Sequence, residues 1–316
     1  LIGNEGVGLL AQLSTLVGMA CPGLHSIFSS FALTRPGSGG PNRFCVQRFD
    51  ERFKLVRIAV DGAWTGEVRA FVRSPPQAQA AMRDVLEQVR PQLPAGHKTW
   101  VLGGSRGLGE LAAKVAAAAG SEVLLTYASG QDDAQRVADE IQSAGLRAVR
   151  VDQFVAGQTD ARAFCTRHDM PQAVFYFATP RIAGHRRGAF DPARLSDFLA
   201  VYCDVPADLS ITLDELQRHR ESPLPLRFFS PSSTYVEELP NGMVEYAMAK
   251  AASEVLAQDL DKRLRHVRFS TCRLPKLPTD QTNGILAGTG RSALQVVLPA
   301  LLQVLNPADA AAPGLA

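Results

Sequence analysis

Hydrophobic and polar positions follow one rhythm before residue 74 of this chain and another after residue 97. At the start, Leu9, Leu10, Leu13, Leu16 and Val17 recur at helical spacing, and Gly18 with Pro22-Gly23 closes that helix. Four runs rich in β-branched and aromatic residues follow, at 26–33, 44–49, 53–60 and 64–72. They are broken by Gly37-Ser38-Gly39-Gly40-Pro41, Asp50-Glu51 and Asp61-Gly62, which are turn chemistries. This pattern predicts an antiparallel sheet packed on a helix. Ser74-Pro75-Pro76 on one side and Pro91, Pro94 and Gly96 on the other bracket an amphipathic helix over 78–89, which reads as a connection between domains.

From residue 98 strand and helix alternate. Short apolar strands are expected at 99–102, 122–127, 148–151, 173–177, 226–230 and 268–272, with helices over 108–119 and 132–143 and from Leu195, Pro206 and Met243. Such a βαβ rhythm implies an α/β fold, a doubly wound parallel sheet with right-handed crossovers. The expected organisation is therefore a small α+β segment over 1–74, a linker with a helix over 75–97, the α/β domain over 98–305 and a loose Pro/Ala/Gly tail over 306–316.

The 316 residues, 46% hydrophobic and 20% charged, suit a globular chain of one or two domains and rule out a disordered one. Lys+Arg 33 against Asp+Glu 31 leaves a net charge of +2 without long same-sign runs, so nucleic acid is not an expected partner. Cys21, Cys45, Cys165, Cys203 and Cys272 are odd in number and never paired as C-x-x-C, which argues against a disulfide framework or a structural zinc and for a reducing cytoplasm. No apolar run is long enough for a membrane span and no signal peptide is visible.

Candidate chemistry gathers at three places. Gly103-Gly104-Ser105-Arg106-Gly107-Leu108-Gly109 lies between a strand and an Ala-rich helix, where glycines allow a sharp turn and let a pyrophosphate approach the helix N–H groups. Tyr246 and Lys250 stand four apart and so share one helix face. A phenol with a pKa near ~10 is a poor acid at neutral pH, and a neighbouring ammonium is expected to lower it. Ser233 lies thirteen residues upstream of Tyr246, just past a strand.

In order and spacing these features resemble the classical short-chain dehydrogenase/reductase family over residues 98–290, with its G-x-x-x-G-x-G and S…Y-x-x-x-K fingerprint. The resemblance implies a Rossmann-type domain in which Gly103, Ser105, Gly107, Leu108 and Gly109 border a dinucleotide pyrophosphate. Of these the three glycines are the ones implied at the pyrophosphate itself, Ser105 and Leu108 being cofactor-binding neighbours; the resemblance implies too that Tyr246 is the proton donor, that Lys250 binds the nicotinamide ribose and tunes Tyr246, and that Ser233 holds the substrate carbonyl. It also implies that Asp152 lies near the adenine, that Ala178 lines the cofactor, and that Pro275 and Thr279 embrace the nicotinamide carboxamide. The second strand ends Tyr127-Ala128-Ser129 with no acid for a ribose 2′-hydroxyl, while Arg106 could face a 2′-phosphate, so NADPH is the expected cofactor.

Two departures stand out. Phe175-Tyr176-Phe177-Ala178-Thr179 replaces the family's Asn-Asn-Ala-Gly, and the helical Asn that often completes the catalytic set falls near Tyr202 or Cys203. Neither side chain reproduces that asparagine's water-mediated link to the lysine. Residues 281–286 are expected to belong to a lid over the substrate.

The first segment, through Leu13-Ser14-Thr15-Leu16-Val17-Gly18-Met19 and Pro22-Gly23-Leu24-His25-Ser26-Ile27-Phe28, resembles part of a MaoC-like hot-dog hydratase. The acid/base pair that precedes this helix in such enzymes is missing, and His25 reads as structural, so a structural or dimerising module is expected. With no Met at Leu1, sequence lost ahead of it is expected too. The leading expectation is a ketoreductase acting on a 3-oxoacyl thioester, carried on CoA or a carrier protein in fatty-acid or polyketide-type metabolism, and working as a homodimer or homotetramer. A nucleotide-sugar epimerase or dehydratase, or a non-catalytic cofactor-binding scaffold, are the alternatives.

Overall fold

A computed structural model describes residues 4–35, 40–72, 78–147, 149–182, 190–220, 226–277, 279 and 292–306. Gly37 to Gly39, Ser74 to Pro76, Ala148, the expected lid at 281–286 and the tail from 307 lie outside the described residues. The chain divides between Gln77 and Ala78 into two units.

In the first unit α1 (Asn4–Thr15) continues into a π-turn (Leu16–Ala20). Four antiparallel strands follow, β1 (Ser26–Thr34), β2 (Arg43–Asp50), β3 (Leu55–Asp61) and β4 (Thr65–Val72), arranged β1-β4-β3-β2. Period-2 alternation turns Val56, Ile58, Val60, Val68 and Ala70 to one face, where Leu9, Leu13 and Val17 of the helical stretch bury them. The expected sheet-on-helix arrangement is present, and β3 starts at Leu55 because Lys54 turns the chain with φ 51°.

The second unit begins with α2 (Met82–Gln88), then β5 (Lys98–Leu102), α3 (Gly107–Ala118), β6 (Glu122–Tyr127), α4 (Gln131–Ser143), β7 (Val149–Gln153), α5 (Ala161–Arg167) and β8 (Ala173–Tyr176). It continues with α6 (Pro192–Leu199), a π-turn (Ala200–Asp204), α7 (Val205–Arg218), β9 (Leu226–Phe229), β10 (Ser232–Ser233), α8 (Tyr235–Glu238), α9 (Val244–Arg263), β11 (Val267–Ser270), β12 (Arg273–Leu274) and α10 (Ala293–Leu305). Six strands form one sheet in the order β11-β9-β8-β5-β6-β7, and every pairing in it is parallel. Strand order reverses between β5 and β8, which is the topological switch point where α/β sheets of this kind hold ligands. One apolar layer packs α3, α4 and α10 on the sheet through Ala112, Val115, Val137 and Leu301, and the other packs α5, α7 and α9 through Phe164, Leu213 and Leu260.

The connecting helix is not a linker. Met82, Val85 and Val89 are each at most 3% exposed and belong to the core that contains α3. Lys114 of α3, 1% exposed, donates to the Ala80 carbonyl and pairs with Glu110 and Glu140, while Glu140 accepts from the Met82 amide. A lysine so buried is tolerable because two carboxylates and a carbonyl surround its ammonium. Among the described residues no helix is long and apolar enough to cross a membrane.

Candidate active site

Glycine chemistry shapes one wall of the site. Gly103 leaves β5 with φ +80°, and a Cβ there would lie 2.6 Å from the Ala178 nitrogen, so the loop after β8 closes on the loop after β5 only because residue 103 is glycine. A Cβ on Gly109 would lie 2.0 Å from the Gly103 carbonyl oxygen, which fixes how near α3 starts to β5. Gly107 has φ +60°, and the Thr279 side chain passes 3.6 Å from its Cβ position. Gly103, Gly107, Gly109, Ala178 and Thr279 are therefore neighbours around the start of α3. Arg106 sits at the N-cap with extended backbone and makes no side-chain cap, so its side chain does not accept from the amides of the first turn, where Leu108 is half-buried.

At the neighbouring corner, Tyr127, Ala128 and Ser129 leave β6 and Gly130 opens α4. Arg106 Nε lies 3.4 Å from Asp133 of α4, both side chains being largely exposed, and a Cβ on Gly130 would come within 3.7 Å of the Ser105 hydroxyl. Asp152 has partners of its own, since its carboxylate takes Arg167 at 2.7 Å and His168 at 2.8 Å on the α5 side. Its neighbour Gln153 is the residue that reaches the corner, donating to the Ala128 carbonyl at 2.9 Å.

A second cluster, on β10, β12 and α9, carries the titratable groups. β10 and β12 pair in parallel with Ser233 opposite Leu274, which places Pro275 directly after the strand beside Ser233. Ser233 accepts from the Tyr235 amide at 3.2 Å and hydrogen-bonds the Tyr246 phenol. Tyr246 stands in an aromatic box, with ring centroids 5.7 Å from Phe198, 5.8 Å from Tyr202 and 5.9 Å from Tyr235. Lys250 is buried, donates to the Pro231 carbonyl at 2.7 Å, and has its Nζ 3.7 Å from the centre of the Tyr202 ring.

The electrostatics differ from the expectation. Tyr246 is not lowered by Lys250: burial pushes its phenol above the usual value, and the Ser233 hydrogen bond opposes that rise. The lysine nitrogen lies 5.9 Å from the Tyr246 ring centre and is turned to Pro231 and Tyr202, and burial brings the lysine itself down to about 7.

Several groups of the site are not evident from motif spacing. Glu254 accepts from Ser232 and pairs with Arg273 at 2.7 Å, which ties α9 to β10 and β12 and so holds Ser233 against Tyr246. Its spacing four residues after Lys250, and eight after Tyr246, is a signal that could have revealed it. Tyr202 is marked in the sequence only by falling near the place of the resembled asparagine and Thr179 only by ending the 175–179 departure, while Asp133, at the Arg106 corner, carries no local pattern. Among the described residues no group of three or more His, Cys, Asp or Glu could hold a metal ion, and all five cysteines are free.

The sheet order and the glycine turn define the class of the second unit, a Rossmann-type domain. Comparison with known proteins agrees with the fold. No family model matches the chain. A short-chain dehydrogenase/reductase named FrzI, from a Cladobotryum species, is 30% identical over 170 residues, which are 52% of this chain and 64% of that protein. This chain thus spans less than two thirds of that relative's length. A short chain dehydrogenase of Escherichia coli CFT073, complexed with NADPH, matches with a TM-score of 0.58 at 19% identity over 69% of this chain and 95% of that one. A 3-oxoacyl (acyl-carrier-protein) reductase of Agrobacterium tumefaciens C58 with NADP bound matches with a TM-score of 0.51 at 20% identity, over 59% of this chain and 72% of that one.

Proposed function

We propose that the second unit is a short-chain dehydrogenase/reductase that uses NADPH to reduce a ketone to an alcohol, and that its substrate is a 3-oxoacyl thioester on CoA or a carrier protein. The observation that carries this reading is the meeting of Ser233, Tyr246 and Lys250 in the same domain as the glycine cradle. The cradle fits a dinucleotide. Gly103 and Gly109 leave no room for side chains, and the uncapped first turn of α3 presents amides and the positive end of the helix dipole to a pyrophosphate. Ser105, Arg106, Leu108 and the 127–129 corner would hold the adenosine half, while Ala178, Pro275, Thr279 and Lys250 would hold the nicotinamide half. When bound, NADPH supplies the hydride.

The chain's own residues handle the proton and the oxygen. Tyr246 carries its proton at neutral pH as any phenol does; burial makes it a weaker acid, the Ser233 hydrogen bond opposes that, and the charge gained by the carbonyl oxygen is what draws the proton across. The Ser233 oxygen is oriented by the Tyr235 amide, and its hydroxyl steadies that same oxygen. The thioester assignment is supported by the hot-dog resemblance of the first segment and by the acyl-carrier-protein reductase among the fold matches. The test is turnover of NADPH with 3-oxoacyl-CoA by the full chain. Normal NADPH binding without reduction of any 3-oxoacyl thioester would sink the substrate class.

Cofactor choice follows from the corner. A charge-assisted hydrogen bond is worth ~1.5–3 kcal/mol, so Arg106→Ala is expected to weaken NADPH binding on the order of 10- to 100-fold and leave NADH little changed. The exposed Arg106–Asp133 pair competes only weakly for the guanidinium, and Asp133→Asn is expected to tighten NADPH severalfold. Fluorescence titration of both cofactors reads both effects, and an equal loss of NADH and NADPH in Arg106→Ala would count against a 2′-phosphate contact.

A further inference from the structure

The buried lysine of the site has an unusual neighbour. Tyr202 is 3% exposed, and Phe198 stacks beside it with centroids 5.8 Å apart and planes 8° from parallel. Its hydroxyl hydrogen-bonds Thr179 Oγ1 in the loop after β8, one residue beyond the Ala178 backbone that abuts Gly103. The π-turn that presents it is itself anchored, because the buried Tyr176 hydroxyl donates to the Val201 carbonyl at 2.8 Å and the Val205 amide closes the turn on the Ala200 carbonyl. We propose that Tyr202 is a positioning residue whose ring face holds the Lys250 ammonium and whose hydroxyl ties it to the loop after β8, so that one side chain sets the lysine and the cofactor-side loop together.

The energetics favour such a role. The cation–π energy of a desolvated ammonium over an aromatic face here opposes the burial that favours the neutral amine. The groups facing Lys250 are Tyr202 and Cys203 from the π-turn, Tyr246 and Glu254 from α9, and the Pro231 carbonyl from the loop after β9. Glu254 is engaged by Arg273 and Ser232, and the Cys203 thiol points to the Ala249 carbonyl, which leaves the Pro231 carbonyl at 2.7 Å and the Tyr202 ring face at 3.7 Å as the near electron-rich groups. The importance of the lysine rests on the reductase reading, but its protonation can be read without cofactor or substrate.

The experiment is a pH titration by NMR of the lysine-selectively 13C-labelled full chain, with the Lys250 signal assigned from Lys250→Arg. Tyr202→Leu is expected to move the Lys250 midpoint down by about one pH unit or more, in line with the cation–π energy above. Tyr202→Phe keeps the ring and is expected to hold the midpoint near that of the wild type. It loses the tie to Thr179, so NADPH binding, followed by fluorescence, is expected to weaken severalfold, as in Thr179→Val. A Leu midpoint equal to the wild-type one, or a Phe midpoint displaced as far as Leu, overturns the proposal. Should the Leu variant fail to fold, 3,5-difluorophenylalanine at position 202, compared with Tyr202→Phe, withdraws electron density from the ring without adding an acidified phenol, and an unmoved midpoint there is equally decisive. A protein that reduces no carbonyl yet shows these shifts would lose the reductase reading and keep this one.

Discussion

Replacing Tyr246 with Phe is expected to lower kcat for carbonyl reduction on the order of 10²- to 10⁴-fold, the range associated with losing a positioned general acid. NADPH binding should stay within about threefold, an allowance for a contact that retains its aromatic body. The separation is expected because Phe keeps the ring in its box of Phe198, Tyr202 and Tyr235 and removes one oxygen. That oxygen is the hydrogen-bond partner of Ser233, so Ser233→Ala should produce a smaller loss in the same parameter. Steady-state kinetics beside a binding titration distinguish the outcomes. A Phe variant that turns over as fast as the wild type would show that Tyr246 is not the proton donor and would favour the scaffold alternative.

The second large effect concerns stability. In the folded chain Lys250 titrates near 7, whereas an unfolded lysine does so near 10.5, so between these values the unfolded chain holds the extra proton. Stability therefore rises with pH across that window, by ~1.4 kcal/mol per pH unit from this group, and the full cost of burying the ammonium is felt below it. Lys250→Met keeps the bulk and discards the charge. Relative to the wild type it is expected to gain stability at pH 6, with the advantage shrinking by roughly 3 kcal/mol by pH 9. The loss of the donor to Pro231 subtracts ~1–3 kcal/mol at every pH, so the slope of the difference is the informative quantity. Urea unfolding at both pH values measures it, and parallel curves for the two proteins would contradict a destabilised ammonium. On the proposed reductase reading the same substitution removes activity, and the lysine then trades stability for function.

How far the sequence foretells the fold depends on whether the cause is local. β6 runs from Glu122 to Tyr127 as its apolar run predicts, and α3 and α4 lie within a residue of their expected starts, because hydrophobic period and flanking glycines act over a few residues. The glycine turn is legible for the same reason, since the close approach at Gly103 tolerates no side chain. The helix at 82–88 is visible, but its place in the core is not, because that depends on which face α3 offers it. Pro299 hides α10, and the brevity of α5 hides it too. In the site, the Tyr246/Lys250 spacing is local and clear. The partnership of Tyr202 with Lys250 joins residues 48 apart through a π-turn that no periodicity marks, so the sequence shows only the missing asparagine and not the ring that occupies the place.

A π-turn differs from an α-helix by one inserted residue, and this has an evolutionary consequence for the segment Ala200–Asp204. Deleting a single codon there would restore α-helical winding and rotate everything on one side of the deletion by about a quarter turn relative to the other. The ring would swing off the lysine without any substitution in either residue. Relatives that differ only by such a length change would then need another side chain over the ammonium, so gaps in this helix, rather than exchanges at Ser233, Tyr246 and Lys250, are where lineages of this protein should part.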